Sequence, residues 1–322
     1  MRAVATRFIR TMTSISTLLR RVGALVTVLV SLSAARAEGV TRTWTVAGTD
    51  RTAIVHLPAT DPAKTLGTER QPIASPLIFA FHGHGGRAQF VERALHFQKE
   101  WPQAVVVYPQ GLPTKTSLDP KGTGTGWQIR AGTNEDRDLA FVDAIVASLR
   151  AEGWIDDTRI YAAGHSNGGG FTYALWDARH DLFAAVALIA TGSLELSKLK
   201  PLPCMHIAGR GDKIVKISFQ EKVMKEERVV NGSVGEGVEW ATNCTQWSSE
   251  GASAFVAMIT DGGHGIPTEA PPLMVRFFKE QVKEVVKVDV KTDVKVDVKT
   301  EPATPQPAGL PKSHSIIIIT DK

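Results

Sequence analysis

Residues 159–171 read RIYAAGHSNGGGF: an apolar run at 160–163 stops at a glycine, and a single serine, Ser166, follows inside a glycine-rich segment. Gly164-His165-Ser166-Asn167-Gly168 fits the pattern G-x-S-x-G, and it stands where that pattern has mechanical meaning, after an expected strand and before an expected helix. A sharp strand-to-helix turn crowds its neighbours and holds the serine in a sparsely populated backbone conformation, so the flanking positions must lack bulk. The hydroxyl would then stand above a sheet at a helix N-terminus, where backbone amides favour developing negative charge.

A serine hydroxyl becomes nucleophilic only when a base takes its proton, and that base is usually a histidine oriented by a carboxylate. In sheets carrying such an elbow the chain order is serine, acid, histidine, which leaves His180, His206, His264 and His314. His180 lies just past the helix after the elbow, His206 falls inside an expected strand, and His314 belongs to the C-terminal tail. His264 remains, in the glycine-flanked loop Asp261-Gly262-Gly263-His264-Gly265 after the last expected strand. For the acid, Asp212 follows the expected strand 205–208 in the loop GRGD. It is preferred to Asp261, which precedes the histidine by only three residues and could instead cap its own loop. An oxyanion needs donors as well. His82-Gly83-His84-Gly85-Gly86, after another strand, suits that role, with one amide expected from Asn167 and the other from His84 or Gly85. HGHGGR lacks the further Asp-His of an HxHxDH dinuclear site, so no metal ligand set and no cofactor are expected.

Outward from the elbow, continuous apolar runs at 76–81, 104–108, 183–189, 205–208 and 254–259 suit strands covered on both faces, as in a parallel sheet. Helical spacing separates them, most clearly at Leu139, Val142, Ile145, Val146 and Leu149, then at 171–178 and 272–282. Residues 41–46 and 52–57 flank the turn Gly48-Thr49-Asp50 and predict an opening hairpin. The alternation gives an α/β class, with a mostly parallel central sheet, helices on both faces and one domain over 38–285.

The first 37 residues differ in composition. Arginines at 2, 7, 10, 20 and 21 precede the apolar run 22–32, and Ala35-Arg36-Ala37 supplies a small-residue cleavage site, the pattern of a secretory signal peptide. The run of 11 residues is too short to span a bilayer. A secreted or periplasmic protein with no membrane span in its mature chain is therefore expected. Without these residues 31 basic side chains face 33 acidic ones, and nothing in that balance calls for nucleic acid. Cys204 and Cys244 both fall in the exported part, where a disulfide between them is chemically allowed. Residues 286–322 open on KVDVKTDVKVDVKT and continue proline-rich, which reads as a solvated low-complexity tail. The alternative is self-association or surface attachment through the alternating repeat.

Taken together, LIFAFHGHGG, VVVYPQGLP, GWQ at 126–128, EDRDLAFVDAIV, RIYAAGHSNGGGFTYAL, IAGRGDKIV and DGGHGIP, in that order over about 51–279, resemble the secreted esterases grouped as polyhydroxybutyrate depolymerase-like and feruloyl esterase-like α/β-hydrolases. The resemblance implies the α/β-hydrolase fold and hydrolysis of a small-molecule or polymer ester through an acyl-enzyme, with Ser166 as nucleophile, His264 as base and acid, and Asp212 as orienting carboxylate. It also implies that Trp127 lines the acyl cleft, with His165 beside it as a substrate-binding side chain, and that the cysteine after Trp240 is disulfide-bonded. Two departures stand out: GRGD where relatives commonly have His-Gly before the variable residue and Asp, and no tryptophan two positions after His264. Two rivals share parts of the pattern. One is a serine peptidase of the prolyl oligopeptidase type, which also carries GxSxGG; the other is a noncatalytic surface protein on the same fold.

Overall fold

The apolar runs become neighbouring strands of a single sheet in the computed structural model, which describes residues 39–58 and 74–284. The chain runs β1 (Val40–Val46), β2 (Thr49–His56), β3 (Ser75–Phe81), α1 (Ala88–Leu95), α2 (Phe97–Glu100), β4 (Val105–Pro109), β5 (Leu112–Pro113), β6 (Thr125–Gly126), α3 (Arg137–Ala151) and β7 (Ile155–His165). It continues through α4 (Asn167–Ala178), β8 (Ala185–Ile189), β9 (Cys204–Gly209), α5 (Ile217–Asn231), β10 (Val238–Ala241), β11 (Cys244–Trp247), β12 (Phe255–Thr260) and α6 (Ala270–Lys279). The expected signal peptide and the expected tail lie outside the described residues.

The sheet has ten strands in the order β1-β2-β4-β3-β7-β8-β9-β12-β11-β10. From β4 to β12 every neighbouring pair is parallel, while β1-β2-β4 and β12-β11-β10 pair antiparallel at the two edges. Strand periodicity divides the core between two faces. Leu77, Phe79 and Phe81 of β3 point into one apolar cluster with Phe141 of α3, Trp176 of α4 and Val223 of α5. Ile78 and Ala80 point into the other, with Val91 of α1 and Phe277 and Phe278 of α6. Because both faces are covered, the central strands have no polar side to show, which is why they read as unbroken apolar runs. Among the described residues no helix is long and apolar enough to cross a membrane.

The two faces also correct the expected disulfide: Cys204 and Cys244 are both free and buried. Cys204 lies in the first cluster and Cys244 in the second, and β12 separates their strands. Cys204 pairs with Phe255 and Cys244 with Met258, so two strand spacings across the sheet and three residues along it put them roughly 14 Å apart, beyond the roughly 7 Å that a disulfide can bridge. Burial pushes the Cys204 thiol well above its ordinary value and the Cys244 thiol up to about 11. The folded protein is therefore expected to leave both thiols unreacted with Ellman's reagent, and two thiols per chain should titrate after unfolding in guanidinium without reductant. A titre of zero under those conditions would restore the disulfide.

Candidate active site

The parallel strands deliver their C-terminal ends to one edge of the sheet, and four loops meet there. β7 ends at His165, and the chain turns through Ser166 directly into α4, beginning at Asn167. Ser166 has φ 54° and ψ −118°, a left-handed backbone that side chains other than glycine rarely adopt. Its amide is tied to the Ile189 carbonyl at 2.8 Å, and its carbonyl accepts the Gly170 amide at 3.0 Å. The glycine spacing follows from contact distances. A Cβ on Gly164 would sit 2.1 Å from the Gly168 carbonyl oxygen, and one on Gly168 would sit 2.4 Å from that of Phe81. Close packing of the elbow on β3 also explains why α4 starts at Asn167 and not at 171. Tertiary contact holds Gly168, Gly169 and Gly170 in the first helical turn, where propensity alone would not.

The acid and histidine loops are laced together by their backbones. After β9 and β12, the Arg210 amide donates to the Thr260 carbonyl and the Gly211 amide to the Gly262 carbonyl, both at 2.8 Å. Gly209 could carry no Cβ there, since it would meet the Gly262 and Gly263 carbonyl oxygens at 2.4 Å. The lacing places Asp212 Oδ2 2.9 Å from His264 Nδ1, and His264 Nε2 2.9 Å from Ser166 Oγ. Asp212 Oδ1 accepts the amides of Ile214 and Val215 at 2.8 and 2.9 Å, and Oδ2 also accepts Gln220 Nε2 at 3.2 Å. Burial works to raise the Asp212 carboxyl, but the hydrogen bonds from His264 and the two amides outweigh it and hold the group below the usual carboxylate range. Asp261, the rival acid, has an almost fully exposed side chain facing Arg210 at 3.5 Å.

The fourth loop, after β3, crosses the elbow: a Cβ on Gly83 would come within 3.3 Å of that of Ser166. His82 is structural there. Nδ1 lies 2.7 Å from the Gly83 carbonyl and Nε2 accepts the Gly111 amide at 3.0 Å. Burial pulls its imidazole down, which keeps it in the neutral form that this pairing needs. The expectation for Gly85 is corrected, because its amide is already bonded to the Thr125 carbonyl at 2.7 Å. The amides of His84 and Asn167 have no such partner among the described residues.

These features can be set beside known proteins. A sequence profile of the prolyl oligopeptidase family matches residues 121–196, about a quarter of the chain, centred on the elbow. The protein described as probable feruloyl esterase C of Aspergillus clavatus is 26% identical over 200 residues, 58% of this chain and 69% of the relative. Among solved structures, a thermostable esterase superposes with a TM-score of 0.54 at 20% identity, covering 77% of this chain and 64% of its own. The chain thus spans a little under two thirds of that structure. An acetyl xylan esterase from Aspergillus awamori gives 0.52 at 12% identity, covering 74% of this chain and 99% of its own. The chain has the α/β-hydrolase fold, and the relatives it resembles are described as esterases.

A cavity of about 570 Å³ opens beside the elbow of this hydrolase, lined by Ser166, Asn167, His84, Ile129, Ile214 and Phe219 among others. Leu118, Ile129 and Ile214 on its walls are exposed, so apolar surface stands open at its mouth among polar neighbours such as Lys115 and Arg130. One of two expectations for this cleft changes. Trp127 lines the cavity as expected, although it is only 1% exposed: its ring stacks on Phe171 and its Nε1 donates to the His82 carbonyl at 2.9 Å, so it packs as core as well. His165 does not line the cavity. Burial pulls its imidazole down to the neutral form, and Nε2 lies 2.6 Å from the His264 carbonyl, which it holds in place.

Sequence reasoning missed two contributors. The Asn167 side chain clamps both the amide and the carbonyl of Trp127, at 2.8 and 3.1 Å, locking the wall of the cleft to the elbow. Its amide pattern carries no sequence signal beyond position. Gln220 is legible in principle, as a glutamine on the buried stripe of the helix that follows the acid loop.

Proposed function

We propose that this chain is an exported esterase that works by a serine acyl-enzyme route, with Ser166, His264 and Asp212 as its catalytic set. The reading is carried by the hydrogen-bonded line from the Asp212 carboxylate through His264 to the Ser166 hydroxyl, 2.9 Å at each step. His264 Nε2 accepts the Ser166 proton as Oγ attacks the ester carbonyl, and Asp212 stabilises the imidazolium that forms. The amides of Asn167 and His84 receive the oxyanion. The proton then passes from His264 to the departing alkoxide, which leaves as alcohol. Water, deprotonated by the same nitrogen, attacks the acyl-enzyme, releases the acid and restores Ser166.

The exposed Leu118, Ile129 and Ile214 favour esters with an aryl or alkyl acyl group, such as feruloylated polysaccharide or hydroxyalkanoate esters. The feruloyl esterase relatives support the aryl choice. Export rests on residues 1–37, with their arginines, short apolar run and small-residue site. One observation favours a second reading: the profile matching 121–196 belongs to a peptidase family. The readings separate on a panel of p-nitrophenyl acetate, methyl ferulate and peptide anilides offered to the purified mature chain. Turnover of the two esters with none of the anilides is expected, and turnover of anilides alone would overturn the substrate assignment.

A further inference from the structure

Helix α5 carries an anomaly. Its buried stripe consists of Gln220, Val223, Met224, Glu227 and Asn231, spaced as a core-facing helix should be, yet three of the five are polar. Gln220, Glu227 and the β9 residue His206 facing them are all 0% exposed. Buried polar groups of this kind stabilise a fold less than well-packed apolar ones of similar size, so packing alone does not account for them.

Their hydrogen bonds form one connected path that leads back from Asp212. Gln220 Nε2 donates to Asp212 Oδ2 at 3.2 Å and to the Val215 carbonyl at 2.6 Å, which uses both hydrogens of its amide. Rotating that amide by half a turn would set its oxygen against a carboxylate and a carbonyl. The observed orientation leaves Gln220 Oε1 toward His206 Nε2, 3.4 Å away, as a partner for a hydrogen on that nitrogen. His206 Nδ1 lies 2.9 Å from Glu227 Oε2, and Glu227 Oε1 accepts the Tyr173 hydroxyl at 2.5 Å. Burial and then the Glu227 charge push the Tyr173 phenol well up, so it stays a donor. The Cys204 thiol approaches the same Oε1 at 3.9 Å. Every polar atom on this path has a partner that fixes the direction of the next.

We propose that Gln220 is a positioning residue for Asp212, and that the buried pair His206 and Glu227, anchored by Tyr173, sets which way the Gln220 amide faces. This rests on Asp212 being the orienting carboxylate proposed above. Fixed from behind, Asp212 Oδ2 is held at the one place where it serves His264 Nδ1. Without the Gln220 donor the carboxylate keeps its two amide bonds at Oδ1 but loses one of the two groups that locate Oδ2.

A double-mutant cycle tests the proposal. Gln220→Met keeps length and removes the donor. On p-nitrophenyl acetate kcat is expected to fall about tenfold with KM within about twofold, the size of one hydrogen bond to a charged group. In an Asp212→Ala background, read by single-turnover acylation, the same substitution should change nothing further, because its only route to the reaction has gone. Equal losses with and without Asp212 would make Gln220 a general stabiliser and overturn the inference, as would a wild-type kcat in Gln220→Met. An Asp212→Ala chain that keeps wild-type kcat would instead sink the catalytic set itself. His206 supplies a second pair of variants should Gln220→Met not fold. His206→Gln retains a donor near the Nε2 position and His206→Asn retains one only near Nδ1. Folded His206→Asn is expected to show the lower kcat, and equal kcat in the two would remove His206 from the chain of positions.

Discussion

Ser166→Ala is expected to lower the turnover of p-nitrophenyl acetate by about 10⁶-fold, while the cleft still binds substrate with an unchanged KM as far as residual rates allow it to be measured. The size follows from what is removed. His264 Nε2 keeps its place, with Asp212 behind it, but the atom 2.9 Å away that it was to deprotonate is gone. What is left is the pair of amides and the cleft, which alone contribute about 10³–10⁴-fold over water in serine hydrolases. The substitution leaves the backbone demand untouched. Alanine must also take up φ 54°, so it neither relieves nor adds to the strain at the elbow, and melting temperature should stay within a few degrees of wild type. Labelling by a fluorophosphonate gives an independent measure: one equivalent per wild-type chain and none for the variant. A variant that kept more than a few per cent of the rate, or still took up the label, would place the nucleophile elsewhere.

The sequence exposes this site more fully than it exposes the fold that carries it, and the reason is physical. Glycines at 164, 168 and 209 are dictated by backbone carbonyls 2.1–2.4 Å from where a Cβ would stand, so the turn chemistry is written directly into residue type. Strands β3, β4, β8 and β12 are equally plain, because both faces of each are covered and every position but the terminal Ser75 and Thr260 is apolar. Strands β10 and β11 escape notice. They lie at the sheet edge, half exposed, and VEWA and CTQW show no clean alternation. Helix α5 hides for the opposite reason, since glutamine, glutamate and asparagine occupy the stripe where periodicity looks for apolar residues. The local role of a side chain is harder still to read. Gly85 and His84 are neighbours in one motif, but only the fold shows that the Thr125 carbonyl has already claimed the Gly85 amide. The same holds for His165, which the motif places at the substrate and the fold places behind His264.

Asp212→Asn is expected to lower kcat by about 10⁴-fold with little change in KM. The hydrogen bonds around the carboxylate decide how the new amide must sit. Oδ1 accepts two backbone amides, from Ile214 and Val215, so an NH₂ group at that position would face two donors. The asparagine oxygen is therefore forced to the Oδ1 side, and its NH₂ takes the place of Oδ2. There it points at His264 Nδ1, which can accept its hydrogen only if the ring proton moves to Nε2. The nitrogen facing Ser166 then becomes a donor and cannot take up the serine proton. The NH₂ also opposes the Gln220 donor, so some loss of stability accompanies the loss of rate. Raising the pH does not repair a wrong tautomer, and the wild-type carboxyl, held below the usual range, is already ionised at neutral pH. Steady-state rates from pH 6 to 9 check both points, with Asp261→Asn as the control, since that exposed carboxylate touches only Arg210 and its loss should leave kcat unchanged. Should Asp212→Asn keep a tenth of the wild-type rate, the carboxylate would be no more than a brace for its loop, and His264 would have to find its orientation in the 2.6 Å contact between its own carbonyl and His165.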